Sequence, residues 1–197
     1  MRNSLIAILV ATLFSGCISI TKELPSFTTY NLSIENKINN DDVYIDKSIN
    51  IYEPKTIESL NSRDILYVQN GLEFNKYALS KWLDKPSKLL QKQVANYLSL
   101  NNSYKYITTS NLKVDSDYSL VSELVDFSQE FKEDNSFAKF SIRIYLIDNK
   151  NDKTYYKNFT YYEKTPSNDS LGFVKAINKV TNNFYENLNI FIKNKLK

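Results

Sequence analysis

The sequence predicts a single α+β domain in which a mixed, mainly antiparallel sheet packs against two main helices. Three observations predict it. Short segments of period two recur along the chain, as half-buried strands do. Two segments carry apolar residues at helical spacing, one near the middle and one at the C-terminus. Between two strand-like runs stands Asn70-Gly71, a strong hairpin signal because both central positions of its turn need positive φ.

The first element is a targeting segment. Arg2 gives it a positive start, and Leu5 to Phe14 is an apolar run of ten residues. A membrane-spanning helix needs about 20 apolar residues, so this run has the length of a signal-peptide core instead. Ser15 and Gly16 are small, and Cys17 follows as the single cysteine of the chain. The arrangement reads as a lipoprotein signal, with Phe14 where such signals carry an aliphatic residue. Residues 1–16 would be removed and Cys17 would carry the lipid. An ordinary secretory signal with an incidental Cys17 is the alternative. Each buried methylene contributes about 0.8 kcal/mol, so two or three acyl chains make release slow. Residues 17–28 then form a lipidated N-terminus and tether, and 29–197 the domain.

Thr29 to Ile34 alternates as a strand, and Ile45 to Tyr52 is a second, stopped by Pro54. Thr56 to Leu60 has the makings of a short helix. Asp64–Gln69 and Leu72–Tyr77 flank Asn70-Gly71. Ser80–Leu83 reads as the start of a helical stretch, and Pro86 suits the first turn of a helix that runs on through Leu100. Its apolar face is Leu89, Leu90, Val94, Tyr97 and Leu98. Strands follow near 105–109, 118–127, 137–147 and 154–163. In the third of these, Ala138, Phe140, Ile142, Ile144 and Leu146 share a face. Asp148 to Asp152 reads as a solvated hairpin turn; Lys150 at a ligand place and the missing glycine and glutamate argue against a calcium loop. Asp169 or Ser170 opens a last helix to about Lys195, with Phe173, Ile177, Val180, Phe184, Leu188 and Phe191 as its core stripe.

Composition excludes several chemistries. The chain has no histidine, and lipidation would consume its only thiol. That removes the commonest neutral-pH base, zinc sites built on Cys or His, and Ser-His or Cys-His pairs. The three glycines, Gly16, Gly71 and Gly172, are too far apart for a phosphate loop. No cofactor and no metal is expected, and the chain reads as a non-enzyme. Removal of Arg2 leaves 24 Lys and Arg against 22 Asp and Glu, scattered without a basic run, so nucleic acid is not an expected partner.

Aromatic residues are the candidates for contact. Tyr155, Tyr156, Phe159, Tyr161 and Tyr162 put rings on both faces of one strand. They read either as a strand buried on one side with hydroxyls in water on the other, or as a surface for a partner or acyl chains. Trp82, the single tryptophan, is a core or rim anchor where hairpin meets helix, or a binding hot spot.

One run of features has a family likeness. A lipoprotein signal leads to Tyr30-Asn31-Leu32. Then come a hairpin, Tyr77-x-x-x-x-Trp82-x-x-x-Pro86-x-x-Leu89-Leu90, the Asp117-Tyr118-x-Leu120 strand, another hairpin, and a helix opened by Gly172-Phe173-x-x-Ala176-Ile177. The order resembles the ABC-type transport auxiliary lipoprotein family over about residues 28–192. This chain is poorer in Gly, Ala and Arg. The resemblance implies an accessory protein working with a mammalian-cell-entry (MCE) domain protein and an ABC permease and ATPase complex in moving phospholipid across the envelope. It implies a periplasm-facing location, anchored through Cys17. Ile18 after the cysteine, with no aspartate there, leans toward the outer membrane. A lipid-binding carrier and a surface-exposed adhesin-like lipoprotein are the alternatives.

Overall fold

The computed structural model describes residues 26–35, 44–100, 102–109 and 115–196. Cys17 and the tether up to Pro25 lie outside the described residues. The chain forms one α+β domain, a curled mixed sheet packed on two helices. In order, the strands are β1 (Thr28–Tyr30), β2 (Ile45–Ile51), β3 (Lys55–Thr56), β4 (Asp64–Gln69), β5 (Glu73–Trp82), β6 (Tyr104–Thr108), β7 (Tyr118–Lys132), β8 (Asn135–Asp148) and β9 (Lys153–Lys164). Helix α1 (Pro86–Ser99) lies between β5 and β6, and α2 (Ser170–Leu196) closes the described chain.

The organising strand is β7. Along one edge it pairs antiparallel with β8, from Tyr118↔Asp148 to Lys132↔Asn135. Its other edge is tiled by three short parallel strands: β2 at Tyr118–Leu120, β3 at Glu123–Leu124 and β4 at Ser128–Glu130. The register slips between Leu124 and Asp126, which leaves Val125 as an extra residue on β7. Such a bulge bends and twists the strand. The five parallel ladders are short and the three antiparallel ones carry most of the pairing, with β8–β9 running the whole length of β9.

The sheet buries one face. Ala138, Phe140, Ile142, Ile144 and Leu146 of β8 are all within 1% of full burial, as their alternation predicts. The α2 stripe meets them: Phe173, Ile177, Val180, Phe184, Leu188 and Phe191 are buried. Phe184 sits edge-on to Phe140 at 5.1 Å and to Phe159 at 5.3 Å. Leu89, Leu90, Val94 and Leu98 of α1 are buried in the same core, with Tyr97 partly so.

The ends of the elements follow local chemistry. At the β4–β5 turn, Asn70 has φ 53° and Gly71 φ 71°, the left-handed pair that the dipeptide predicts. Pro86 occupies the first turn of α1. The Asp169 carboxylate accepts the Gly172 N–H at 2.7 Å and caps α2. A Cβ on Gly172 would run into the Ser167 carbonyl and hydroxyl. Gly172→Ala should therefore cost about 1–3 kcal/mol by overpacking, read in a thermal melt as about 2–4 °C for each kcal/mol.

Three local expectations are corrected. Ser80–Trp82 is the end of β5, with Leu83 just past it, not the start of a helix. The Trp82 N–H bonds the Arg63 carbonyl at 2.8 Å, and the Leu83 N–H bonds the Tyr30 carbonyl at 2.7 Å. Partners on both sides hold the backbone extended. The first strand spans only Thr28–Tyr30, starting one residue ahead of the expected domain boundary. The segment from Thr56 to Leu60 is β3 followed by a single 3-10 turn at Glu58–Leu60.

Candidate functional site

Strand alternation sorts the β9 aromatics onto two faces. Tyr155, Phe159 and Tyr161 point with the buried β8 residues, opposite Leu146, Ile142 and Phe140 respectively. Phe159 is packed edge-on against Phe184 and Phe191. The Tyr161 ring stacks near Phe140, its hydroxyl accepts from Asn187 Nδ2 at 3.0 Å, and burial pushes its pKa up. Lys153 and Lys195 lie over the Tyr155 ring. Helix α2 packs on this inner face, burying Phe159 and leaving Tyr155 and Tyr161 half-buried.

Tyr156 and Tyr162 face outward, 55% and 43% exposed. Tyr162 stacks on Phe137 at 4.6 Å with Lys132 Nζ 4.8 Å above its ring. Tyr156 leans on Tyr145 at 5.3 Å. Ion pairs cross the rest of this face: Arg143–Glu123 at 3.2 Å and Lys139–Asp126 at 2.9 Å. Exposed pairs of this kind add little to stability, and they leave a polar face edged by two tyrosines. A shallow groove of about 600 Å³ runs beside Lys132 and Phe137 to the Asn70-Gly71 turn.

Trp82 is not on any surface. It is 1% exposed and lies against Phe127 at 5.4 Å and Phe173 at 6.1 Å. Burial of the whole indole leaves the core reading and removes the hot-spot one.

A chain of polar groups inside the domain links β5, β7, β8 and the segment just before α2. Tyr77 donates to Gln129 Oε1 at 2.6 Å, and Gln129 Nε2 donates to Ser136 Oγ at 2.7 Å. Ser136 Oγ reaches Asn168 Oδ1 at 2.9 Å and Thr165 Oγ1 at 2.5 Å. Ser136 Oγ thus has amide and hydroxyl partners. Burial, and then the Asp169 charge, drive the Tyr77 hydroxyl well above its ordinary pKa. Among the described residues, no group of three or more Asp, Glu, His or Cys is placed to hold a metal ion.

Two carboxylates serve as structural acceptors. Asp117 Oδ2 accepts the Ser48 N–H at 3.0 Å and its hydroxyl at 2.9 Å, while Oδ1 pairs with Lys150 at 3.0 Å. These bonds hold its carboxyl well below the usual range, the Ser48 backbone N–H foremost. Asp148 accepts from the N–H groups of Lys150 and Asn151, from Asn151 Nδ2 and from Tyr118 Oη. The hairpin turn after β8 is exposed from Asn149 to Asp152, as expected, and is organised by a largely buried Asp148. Burial and that carboxylate push Tyr118 up to about 12.

A depressed carboxylate pKa stabilises the fold above the ordinary Asp value and loses that contribution as pH falls. Melting temperature should fall as pH drops below about 4, where unfolded aspartates begin to protonate. Asp117→Asn should flatten this acid slope while costing about 1.5–3 kcal/mol at neutral pH, the range for bonds to a charged group. Melts of both proteins across that pH range check it.

Residues that the sequence reading passed over hold the N-terminal segment. After β1, residues 31–35 belong to no strand, and side chains of both helices bond their backbone. Asn178 Oδ1 accepts the Ser33 N–H at 2.7 Å, and Asn182 Oδ1 accepts the Glu35 N–H at 2.8 Å. Asn182 Nδ2 donates back to the Ser33 carbonyl at 3.1 Å, and Gln93 Nε2 to the Leu32 carbonyl at 2.6 Å. Two asparagines one helical turn apart thus act as surrogate peptide groups. Their four-residue spacing beside the apolar stripe was the available signal.

No family model matches the chain, and no curated protein matches it. Solved structures do. A Xanthomonas campestris protein of the family DUF330 superposes with a TM-score of 0.74 at 15% identity, over 82% of this chain and 92% of that one. A second protein, described only as uncharacterized, superposes with a TM-score of 0.67 at 12% identity, over 85% and 99%. Both share the fold. The lipoprotein GNA1162 from Neisseria meningitidis fits more loosely, with a TM-score of 0.37 at 11% identity over 71% and 99%.

Proposed function

We propose that this protein is a lipid-anchored envelope lipoprotein that works by docking, as an accessory to an ABC-type lipid transport system with an MCE-domain partner. The observation that carries the reading is Cys17: the only cysteine of the chain ends an apolar run of signal-peptide length behind two small residues. The eleven residues 18–28 reach at most about 35 Å when extended, and they deliver the domain by its edge strand β1. The carriage of transport partners rests on the order of motifs from Tyr30 to Ile177. The surface available for docking is the outer face of β7–β9 with its two exposed tyrosines.

Labelling cells with a palmitate analogue, followed by affinity purification of the intact protein, tests both halves. The wild-type chain should carry label and sediment with membranes. Cys17→Ala should lose the label and leave the membrane fraction. Wild-type protein should bring down an MCE-type or permease subunit; recovery of unaccompanied lipoprotein would count against the transport role while leaving the anchor standing.

A further inference from the structure

We propose that β9 is the seam of a homodimer, in which two copies pair antiparallel, edge to edge, about a twofold axis through Asn158. Strand β9 bonds only β8, so its other edge is free along twelve residues among the described part of the chain. The edge strands β1 and β6 offer three and five residues, and β5, covered by β1 at Ser80–Trp82, offers the stretch from Glu73 to Leu79. The edge that matches β9 best in length is another β9.

Free edges of this length are usually guarded by charge. Here the guard has both signs: Lys153, Lys157 and Lys164 share the strand with Glu163. Its order makes the strand complementary to its own reversed copy in one register. Inward residues must face inward residues, since each pair of opposed side chains shares a face of the sheet. Centred on Asn158, this rule sets Lys153 of one copy opposite Glu163 of the other, twice by symmetry. Lys164 then comes beside the turn that holds Asp152. Lys157 falls opposite Phe159, the ring that its own ammonium already covers at 4.8 Å. Tyr156 falls opposite Thr160 and Tyr162 opposite Thr154, aromatic against β-branched, which cross-strand pairs favour. Moving the centre to Lys157 puts that lysine opposite itself. Moving it to Phe159 sets Glu163 against Tyr155 and leaves no opposed pair of unlike charge.

The pairing would join two curled sheets into one, with both α2 helices on the same side. It would use the exposed tyrosines at the seam and leave β1, and with it the tether, at the far end of each copy's sheet.

A single substitution reads it out in the full chain expressed in cells. Asn158 is exposed, and the twofold axis sets it against its own copy. Opposed Cα atoms in antiparallel pairs stand about 4.5–5.5 Å apart, within disulfide range. Under mild oxidation Asn158→Cys should give a disulfide-linked dimer on a non-reducing gel. The parent chain, with Cys17 alone, and Asn183→Cys on the exposed side of α2 should not. Adding Lys153→Glu to Asn158→Cys replaces two attractive pairs with repulsive ones and should cut the dimer yield roughly tenfold. Absence of a dimer from Asn158→Cys would overturn the proposal, as would equal yields from Asn158→Cys and Asn183→Cys. A higher yield from Lys157→Cys, or indifference to Lys153→Glu, would overturn the register. None of these outcomes depends on which transport partner the protein has.

Discussion

Trp82→Ala is expected to destabilise the domain by about 3–5 kcal/mol, the range for truncating a buried large aromatic. In a thermal melt the loss should appear as a fall on the order of 10 °C. The indole is the hub of a ring cluster: Phe127 and Phe173 contact it, Phe127 and Phe173 meet each other at 6.2 Å, and Phe127 meets Phe140 at 6.0 Å. Those rings come from β5, β7, β8 and the first turn of α2. Removing the hub leaves a cavity where these elements converge, and the surrounding rings are fixed by their own strands and cannot close it. Trp82→Phe keeps one ring in place and should fall well short of the same loss. Urea midpoints of the three proteins, with unchanged m-values, would assign the difference to the folded core.

The second large effect concerns the start of the domain. Asn178→Ala with Asn182→Ala removes both side-chain acceptors of the Ser33 and Glu35 N–H groups and the Asn182 donor to the Ser33 carbonyl. At about 1 kcal/mol for each bond, the pair should cost about 2–4 kcal/mol. The loss should be local. Amide exchange at Ser33 and Glu35 should rise by orders of magnitude while β8 amides stay protected. Limited proteolysis should cut before β2. Because this segment continues into the tether, the proposed lipid on Cys17 would keep the nicked N-terminus on the membrane while the folded domain is released.

Local pattern made much of the fold legible. The β8 alternation, the α2 stripe, Asn70-Gly71 and Pro86 all state their own structure, because each depends on residues within a few positions. The misread places depend on partners far along the chain. Trp82 and Leu83 are extended because Arg63 and Tyr30 bond them, and neither partner shows in the local pattern. The expected strand from Thr29 to Ile34 stops at Tyr30, and beyond it the backbone is bonded by Gln93 of α1 and by asparagine amides of α2. The candidate site was half legible. Period two predicts that Tyr156 and Tyr162 lie opposite Tyr155, Phe159 and Tyr161, but which set faces the helix depends on the register with β8. The free edge of β9 could not be read at all, since edge position belongs to the strand order.

The tiling of β7 by β2, β3 and β4 has a consequence for how the chain is made. Strands β7, β8 and β9 follow one another and can zip as neighbours, whereas the three tiles precede β7 by dozens of residues. Long-range parallel pairing is slow because the loop must close before any contact repays it. A chain threaded through a membrane N-terminus first would emerge with β4 paired to β5 and β2 to β6, but with no β7 to join the two pairs. Ile49, Ile51, Ile65 and Val68, all buried at the end, would stay partly uncovered until β7 followed. Such exposed strand edges are where aggregation begins. If the chain is exported as proposed, the interval between the exit of Ile45 and that of Lys132 is when it is most in need of a chaperone, and slowing translocation within it should reduce the yield of folded protein more than slowing it afterward.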